Sequence, residues 1–276
     1  DNVSDRNAEM TRVQRVFDTL LGQAADGHPW LRGLWEMAAL TRAGAAVPPP
    51  AEMGTLLASD TPAAQDALQG AVYGRAVAPP AVFLRWLLDN PQMMEVRDPT
   101  TFGAKSADAR RWRGQLFSDD ERLVSEARDE GLRRFGKRLA QRGRKKWWAF
   151  EGFQRVDCCL TTETCVLFVE DRRAEPLPPS TLWFPSRSRL WRNVEAAKEM
   201  AGDREFGVIL AVDGEADGAG AVNHAAQTLV GSYPHLDGAP RTELAGHFLG
   251  FVTWPEVVAT FDLPPACLVE SPSPAE

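Results

Sequence analysis

Residues 151–173 read EGFQRVDCCLTTETCVLFVEDRR, two apolar runs parted by a polar turn and interrupted by acidic residues. Residues 155–160 and 165–169 have the length and composition of strands, and residues 161–164 the composition of a turn, so an antiparallel hairpin is predicted. Side chains alternate along a strand, which puts Val166, Phe168, Glu170 and Arg172 on one face of the second run. Asp157 lies on the first run, where the hairpin brings its carboxylate toward that of Glu170. Two carboxylates at one point suit a hard divalent cation. The structural alternative is a same-face ion pair of Glu170 with Arg172 at a sheet edge, with Asp157 capping backbone amides.

Working outward, Ser118, Asp119, Asp120 and Glu121 offer an N-cap and an acidic first turn. The stretch to about residue 142 continues with Leu123, Val124, Ala127, Leu132, Phe135 and Leu139 at near-helical spacing. Residues 146–150 read as a strand before the hairpin, closed by a turn at Glu151 and Gly152. After the Pro-rich segment 175–186, residues 187–201 carry Leu190, Val194, Ala197 and Ala201 on one helical stripe that ends at Gly202. Strands are predicted at 206–212 and 248–253, and a flexible loop at 214–220. The order is helix, three strands, helix, strand. Upstream, residues 10–21, 30–40 and 81–89 have helical periodicity, and Pro48, Pro49, Pro50 and Pro91 punctuate them. This predicts a helical N-terminal region at 1–96, either a separate domain or a layer on the sheet. A polar linker at 97–118, the main domain at 119–265 and a tail at 266–276 follow.

The isolated Asp157, the short hairpin, and Glu-x-Arg at the end of the next apolar strand resemble the PD-(D/E)XK nuclease superfamily. Asp157 matches the first acidic position, Glu170 the second, and Arg172 stands where the lysine belongs. Val156 replaces the proline. The resemblance spans about residues 119–254 and implies an α/β fold with a restriction-endonuclease-like αβββαβ core. It also implies metal-assisted phosphodiester hydrolysis, with Mg²⁺ or Mn²⁺ held by Asp157, Glu170 and a backbone carbonyl after Glu170. In that chemistry the metal acidifies the attacking water and stabilises charge on the phosphate, while the family lysine orients the nucleophile. Arginine is not an equivalent of that lysine, because its planar, always charged fork cannot be deprotonated. The superfamily also presents a polar or basic side chain from the helix after the motif, which makes Arg189 and Arg192 candidates by analogy.

The net charge of −7 disfavours nucleic acid unless basic residues gather locally. They do so at Arg133, Arg134, Lys137, Arg138, Arg142, Arg144, Lys145 and Lys146, a run without an acidic residue. The first members recur at three- and four-residue steps on the helix, which is the footprint of a phosphate track or, alternatively, of a solvated helix end. Coupled to the acidic pair, the run favours a nucleic-acid partner, DNA in preference to RNA. The helical N-terminal region is a further candidate surface for a protein partner.

Cys158, Cys159, Cys165 and Cys267 lack metal-binding spacing and read as buried thiols. His28, His224, His235 and His247 form no ligand pair. No dinucleotide fingerprint, Walker A sequence or nucleophile elbow is present. No apolar run is long enough to cross a bilayer and the first residues form no signal segment, so a soluble, cytoplasmic protein is expected. Abundant Ala, Arg, Gly and Pro suggest a GC-rich bacterial genome. Two functions stay open: a metal-dependent nucleic-acid phosphodiesterase of endonuclease type, impaired by the lysine-to-arginine change, or a catalytically inactive nuclease-fold module that binds nucleic acid or serves as a scaffold.

Overall fold

The computed structural model of this chain describes residues 3–23, 28–42, 44–57, 71–102, 104, 106–138, 147–172 and 182–268. The elements in chain order are α1 (Val3–Gln23), α2 (Pro29–Leu40), β1 (Ala71–Val77), α3 (Ala81–Asp89), α4 (Ala107–Leu116), α5 (Glu121–Arg138), β2 (Gln154–Thr161), β3 (Cys165–Arg172), α6 (Arg189–Ala201), β4 (Glu205–Val212), α7 (Glu215–Ser232), α8 (Gly238–Gly246), β5 (Phe248–Thr253) and α9 (Trp254–Thr260). The strands form one mixed sheet in the order β1-β2-β3-β4-β5. β2 runs antiparallel to both of its neighbours, β1 and β3, and β3, β4 and β5 run parallel.

The apolar runs CVLFV, FGVILAV and FLGFV form the three parallel strands, as expected of strands buried on both faces. Alternation then divides their side chains between two cores. Leu167, Val169, Ile209 and Ala211 pack with Val16, Phe17 and Leu20 of α1 and Leu31, Leu34 and Trp35 of α2. Val166, Phe168, Val208 and Leu210 pack with Leu190, Trp191 and Val194 of α6 and with Tyr233 and Leu244. The apolar faces of α1 and α2 are thus spent on the sheet. Among the described residues no helix is long and apolar enough to cross a membrane.

Several expectations are corrected. Residues 147–150 form a turn rather than a strand, and Trp147, Trp148 and Phe150 close a separate apolar cluster with α3, α4 and α5. Lys146 lies outside the described residues. The third antiparallel strand is β1, from the region expected to be helical. Gly74 interrupts it at φ +56, which explains a sequence, AVYGRAV, without clean alternation. The segment expected as a linker contains α4, capped by Ser106, whose hydroxyl accepts the Ala109 N–H at 3.1 Å. The Gly-rich stretch 214–220, expected as a loop, opens α7, and a side chain at Gly218 would collide with the Phe251 ring. The cysteines are free and buried, as expected.

Candidate functional site

The β2–β3 turn is closed by Thr162, whose hydroxyl accepts the N–H groups of Thr164 at 3.2 Å and Cys165 at 2.9 Å. The resulting register pairs Cys158 with Val169 and Cys159 with Phe168, so Asp157 falls opposite Glu170. The backbone ladder between the strands stops at that point. Asp157 Oδ2 accepts the Asp171 N–H at 2.9 Å, a side chain taking over where the partner strand has left. Glu170 is buried on the α6 side of the sheet, continuing the face of Val166 and Phe168.

Each oxygen of Glu170 has partners. Oε1 accepts from Asn193 Nδ2 at 2.8 Å, while Oε2 meets Arg172 Nη2 at 3.1 Å and Arg189 Nη2 at 2.9 Å. Asn193 in turn accepts from Gln154, and Arg189 donates to the Arg155 carbonyl at 2.8 Å. Burial, and then the negative charge of Glu170, push the Asp157 carboxyl up to about 8. Arg189, Arg172 and the Asp171 N–H pull it the other way. A half-buried carboxyl beside a second carboxylate is a place that favours an added positive charge.

Asp171 points to the opposite face. Its carboxylate is buried against Arg12, with Nε at 3.2 Å and Nη2 at 2.5 Å, and accepts from Trp254 Nε1 at 2.7 Å. Burial raises its proton affinity, with Arg12 and Trp254 opposing.

The structure brings Asp157, Glu170, Arg172 and Arg189 together and separates Arg192 from them. Arg192 is buried, faces Glu151 at 3.4 Å and donates to the Gly152 carbonyl. It joins a buried charge cluster in which Arg187 meets Glu151 at 2.7 Å and Glu195 at 2.6 Å, and His235 meets Glu195 at 2.8 Å. In the basic run, Arg133 pairs with Glu130 at 2.7 Å, and Arg134 with Glu130 at 2.5 Å and Asp108 at 3.5 Å. The first turns of that track are therefore partly neutralised from within. The side chains of Lys137 and Arg138, and the whole of Arg142, Lys145 and Lys146, lie outside the described residues.

Asn193 and Arg12 were not foreseen as site residues. A polar residue three positions after Leu190 and four before Ala197, within an apolar stripe, is the sequence signal for Asn193. Arg12 carries no comparable signal. Among the described residues no group of three His, Cys, Asp or Glu side chains is placed to hold a metal. The pair alone offers carboxylate oxygens of the type a hard cation takes. Full use of Glu170 would require Arg172 and Arg189 to yield Oε2, and both side chains are partly exposed, at 17% and 23%. No family model matches this chain, and no curated protein or solved structure matches it.

Proposed function

We propose that this chain is a nuclease-fold protein of the PD-(D/E)XK type whose Asp157–Glu170 pair takes Mg²⁺ or Mn²⁺ to hydrolyse nucleic-acid phosphodiesters. The observation that carries the reading is the opposition of Asp157 and Glu170 at the open end of the β2–β3 ladder, with Arg172 on the same carboxylate. The adjacent strands β1, β2 and β3, with α6 and the parallel β4 following β3, support this reading, although α3, α4 and α5 separate β1 from β2 along the chain. Asp157, Glu170 and the carbonyl of Asp171 would hold the cation, which supplies an acidified water and a sink for phosphate charge. Arg172 and Arg189 place positive charge beside the scissile phosphate, and Asn193 fixes the plane of the Glu170 carboxylate.

One observation favours a second reading, a nucleic-acid-binding module that no longer hydrolyses. Both oxygens of Glu170 are engaged by Asn193, Arg172 and Arg189, so two guanidiniums already stand where the cation's charge is needed. Mn²⁺ titration followed by electron paramagnetic resonance separates the two, with cleavage assays on DNA and RNA alongside. Binding that disappears in Asp157→Ala, together with cleavage that requires the ion, supports hydrolysis. Nucleic-acid binding without any bound Mn²⁺ supports the second reading, and absence of both sinks the pair of them.

A further inference from the structure

Asp171 lies between Glu170 and Arg172 in sequence but leaves β3 on the other face, since successive side chains of a strand alternate. Its face-mates Leu167 and Val169 belong to the core under α1 and α2. A carboxylate on such a face needs compensation, and a single guanidinium provides most of it. Arg12 of α1 grips both oxygens of Asp171, at 3.2 Å through Nε and 2.5 Å through Nη2, and extends Nη1 to Asp213 at 2.5 Å. Trp254, the first residue of α9, donates to Asp171 Oδ1 at 2.7 Å, and the guanidinium lies 5.5 Å from the centre of its ring. Arg12 therefore ties the end of β3 to the residue after β4 and to the residue after β5.

The place of this grip matters because β3 is one-sided there. Pairing with β2 ends at Val169, whereas pairing with β4 continues to Arg172. The Asp171 N–H, released by β2, is the group that Asp157 accepts. We infer that Arg12 is a positioning residue for the acidic pair, acting through Asp171. By locking the Asp171 side chain on one face, it fixes the stretch of β3 backbone that holds Asp157 and displays Glu170 and Arg172 on the other. The inference rests on the metal-site reading for its purpose and on geometry alone for its mechanism. A bidentate guanidinium fixes both distance and plane, which a lysine ammonium cannot reproduce. Partners one step behind metal ligands are typically worth about 10- to 100-fold in metal affinity.

The test uses the full chain as wild type, Arg12→Lys and Trp254→Phe, with two readouts. One is Mn²⁺ affinity. The other is hydrogen exchange of the Asp171 amide by NMR, with the Leu167 and Ile209 amides as controls. Arg12→Lys is expected to weaken Mn²⁺ binding about tenfold or more and to speed exchange at Asp171 while the controls stay protected. Trp254→Phe, which removes one donor and keeps an aromatic ring, should move both quantities in the same direction by less, and it decides the matter if Arg12→Lys fails to fold. Unchanged Asp171 exchange with unchanged Mn²⁺ affinity in the folded variant overturns the inference and leaves Arg12 a structural ion pair. If the wild type binds no Mn²⁺, the metal-site reading fails by itself. The amide then decides alone: selective loss of protection upholds the positioning, and unchanged protection overturns it.

Discussion

Asp157 accepts the backbone N–H of Asp171 across the frayed end of the β2–β3 ladder, at 2.9 Å. This contact holds a carboxylate in place of a missing strand partner, and it also aims that carboxylate at the register position of Glu170. The capping alternative is thus what this contact shows. Asp157 caps an amide with Oδ2 and stands beside a second carboxylate.

Stability should fall as pH rises through the range set by Asp157. Its folded carboxyl is held at about 8, against roughly 3.9 in an unfolded chain. Between those values the folded state holds a proton that the unfolded chain has released, so raising the pH favours unfolding across that window. Urea denaturation at pH 5 and pH 8 should show a loss on the order of a few kcal/mol in the wild type. Asp157→Asn, which keeps an acceptor for the Asp171 N–H, should flatten it. For the same reason Mn²⁺ binding at pH 7 should release about one proton, which calorimetry in buffers of different ionisation enthalpy measures.

Arg187 is fully buried, meets Glu151 and Glu195, and lies 3.7 Å from the centre of the Phe83 ring. Arg187→Met should destabilise the chain by about 3–5 kcal/mol, because it leaves two carboxylates buried without their common counter-ion. Replacing Glu151, Arg187, Arg192 and Glu195 together by apolar residues of similar size removes both cations with both carboxylates and should cost less than that single change. Denaturant midpoints of the two variants provide the comparison, and a quadruple variant less stable than Arg187→Met would contradict this account.

Gly250 lies at the irregularity where β5 pairs with β4, at φ +127, with Ala38 and Thr41 of the α2 end packed where a side chain would stand. Gly250→Ala should therefore cost about 1–3 kcal/mol from overpacking, with backbone strain added. Thermal unfolding reads the loss, and a midpoint equal to that of the wild type would show that α2 can shift to admit the methyl group.

The legible part of the fold was the part with one physical signal per segment. β3, β4 and β5 are continuous apolar runs, and α6 combines an apolar stripe with Gly202 at its end. β1 was not legible, because Gly74 breaks its alternation and its partner strand lies far downstream. Trp147, Trp148 and Phe150 have strand composition, yet their burial against α3, α4 and α5 is a tertiary fact. Within the site, Asp157, Glu170, Arg172 and Arg189 could be placed from strand parity, the hairpin and analogy with the superfamily's helix. Arg12 could not be, since it reaches Asp171 through a helix packed on the opposite face.

Arg172 is the residue at which the two proposed readings, hydrolysis and binding alone, predict different outcomes. Its Nη2 lies 3.1 Å from Glu170 Oε2, an oxygen it shares with Arg189, so the charge on Glu170 is compensated twice. Arg172→Lys replaces a planar fork by a compact ammonium that can orient a water and can be withdrawn from the carboxylate, while Arg189 keeps its own contact. If the acidic pair takes a cation, this variant should cleave faster than the wild type, by about tenfold or more given the usual worth of a positioned proton-transfer group. The gain should require Mg²⁺ or Mn²⁺ and should vanish in Arg172→Lys combined with Asp157→Ala. Single- and double-stranded DNA and RNA, each incubated with the three proteins, provide the assay. No gain from Arg172→Lys with either metal would mean that the guanidinium pair has taken the cation's place for good, and cleavage persisting in the double variant would place the chemistry elsewhere.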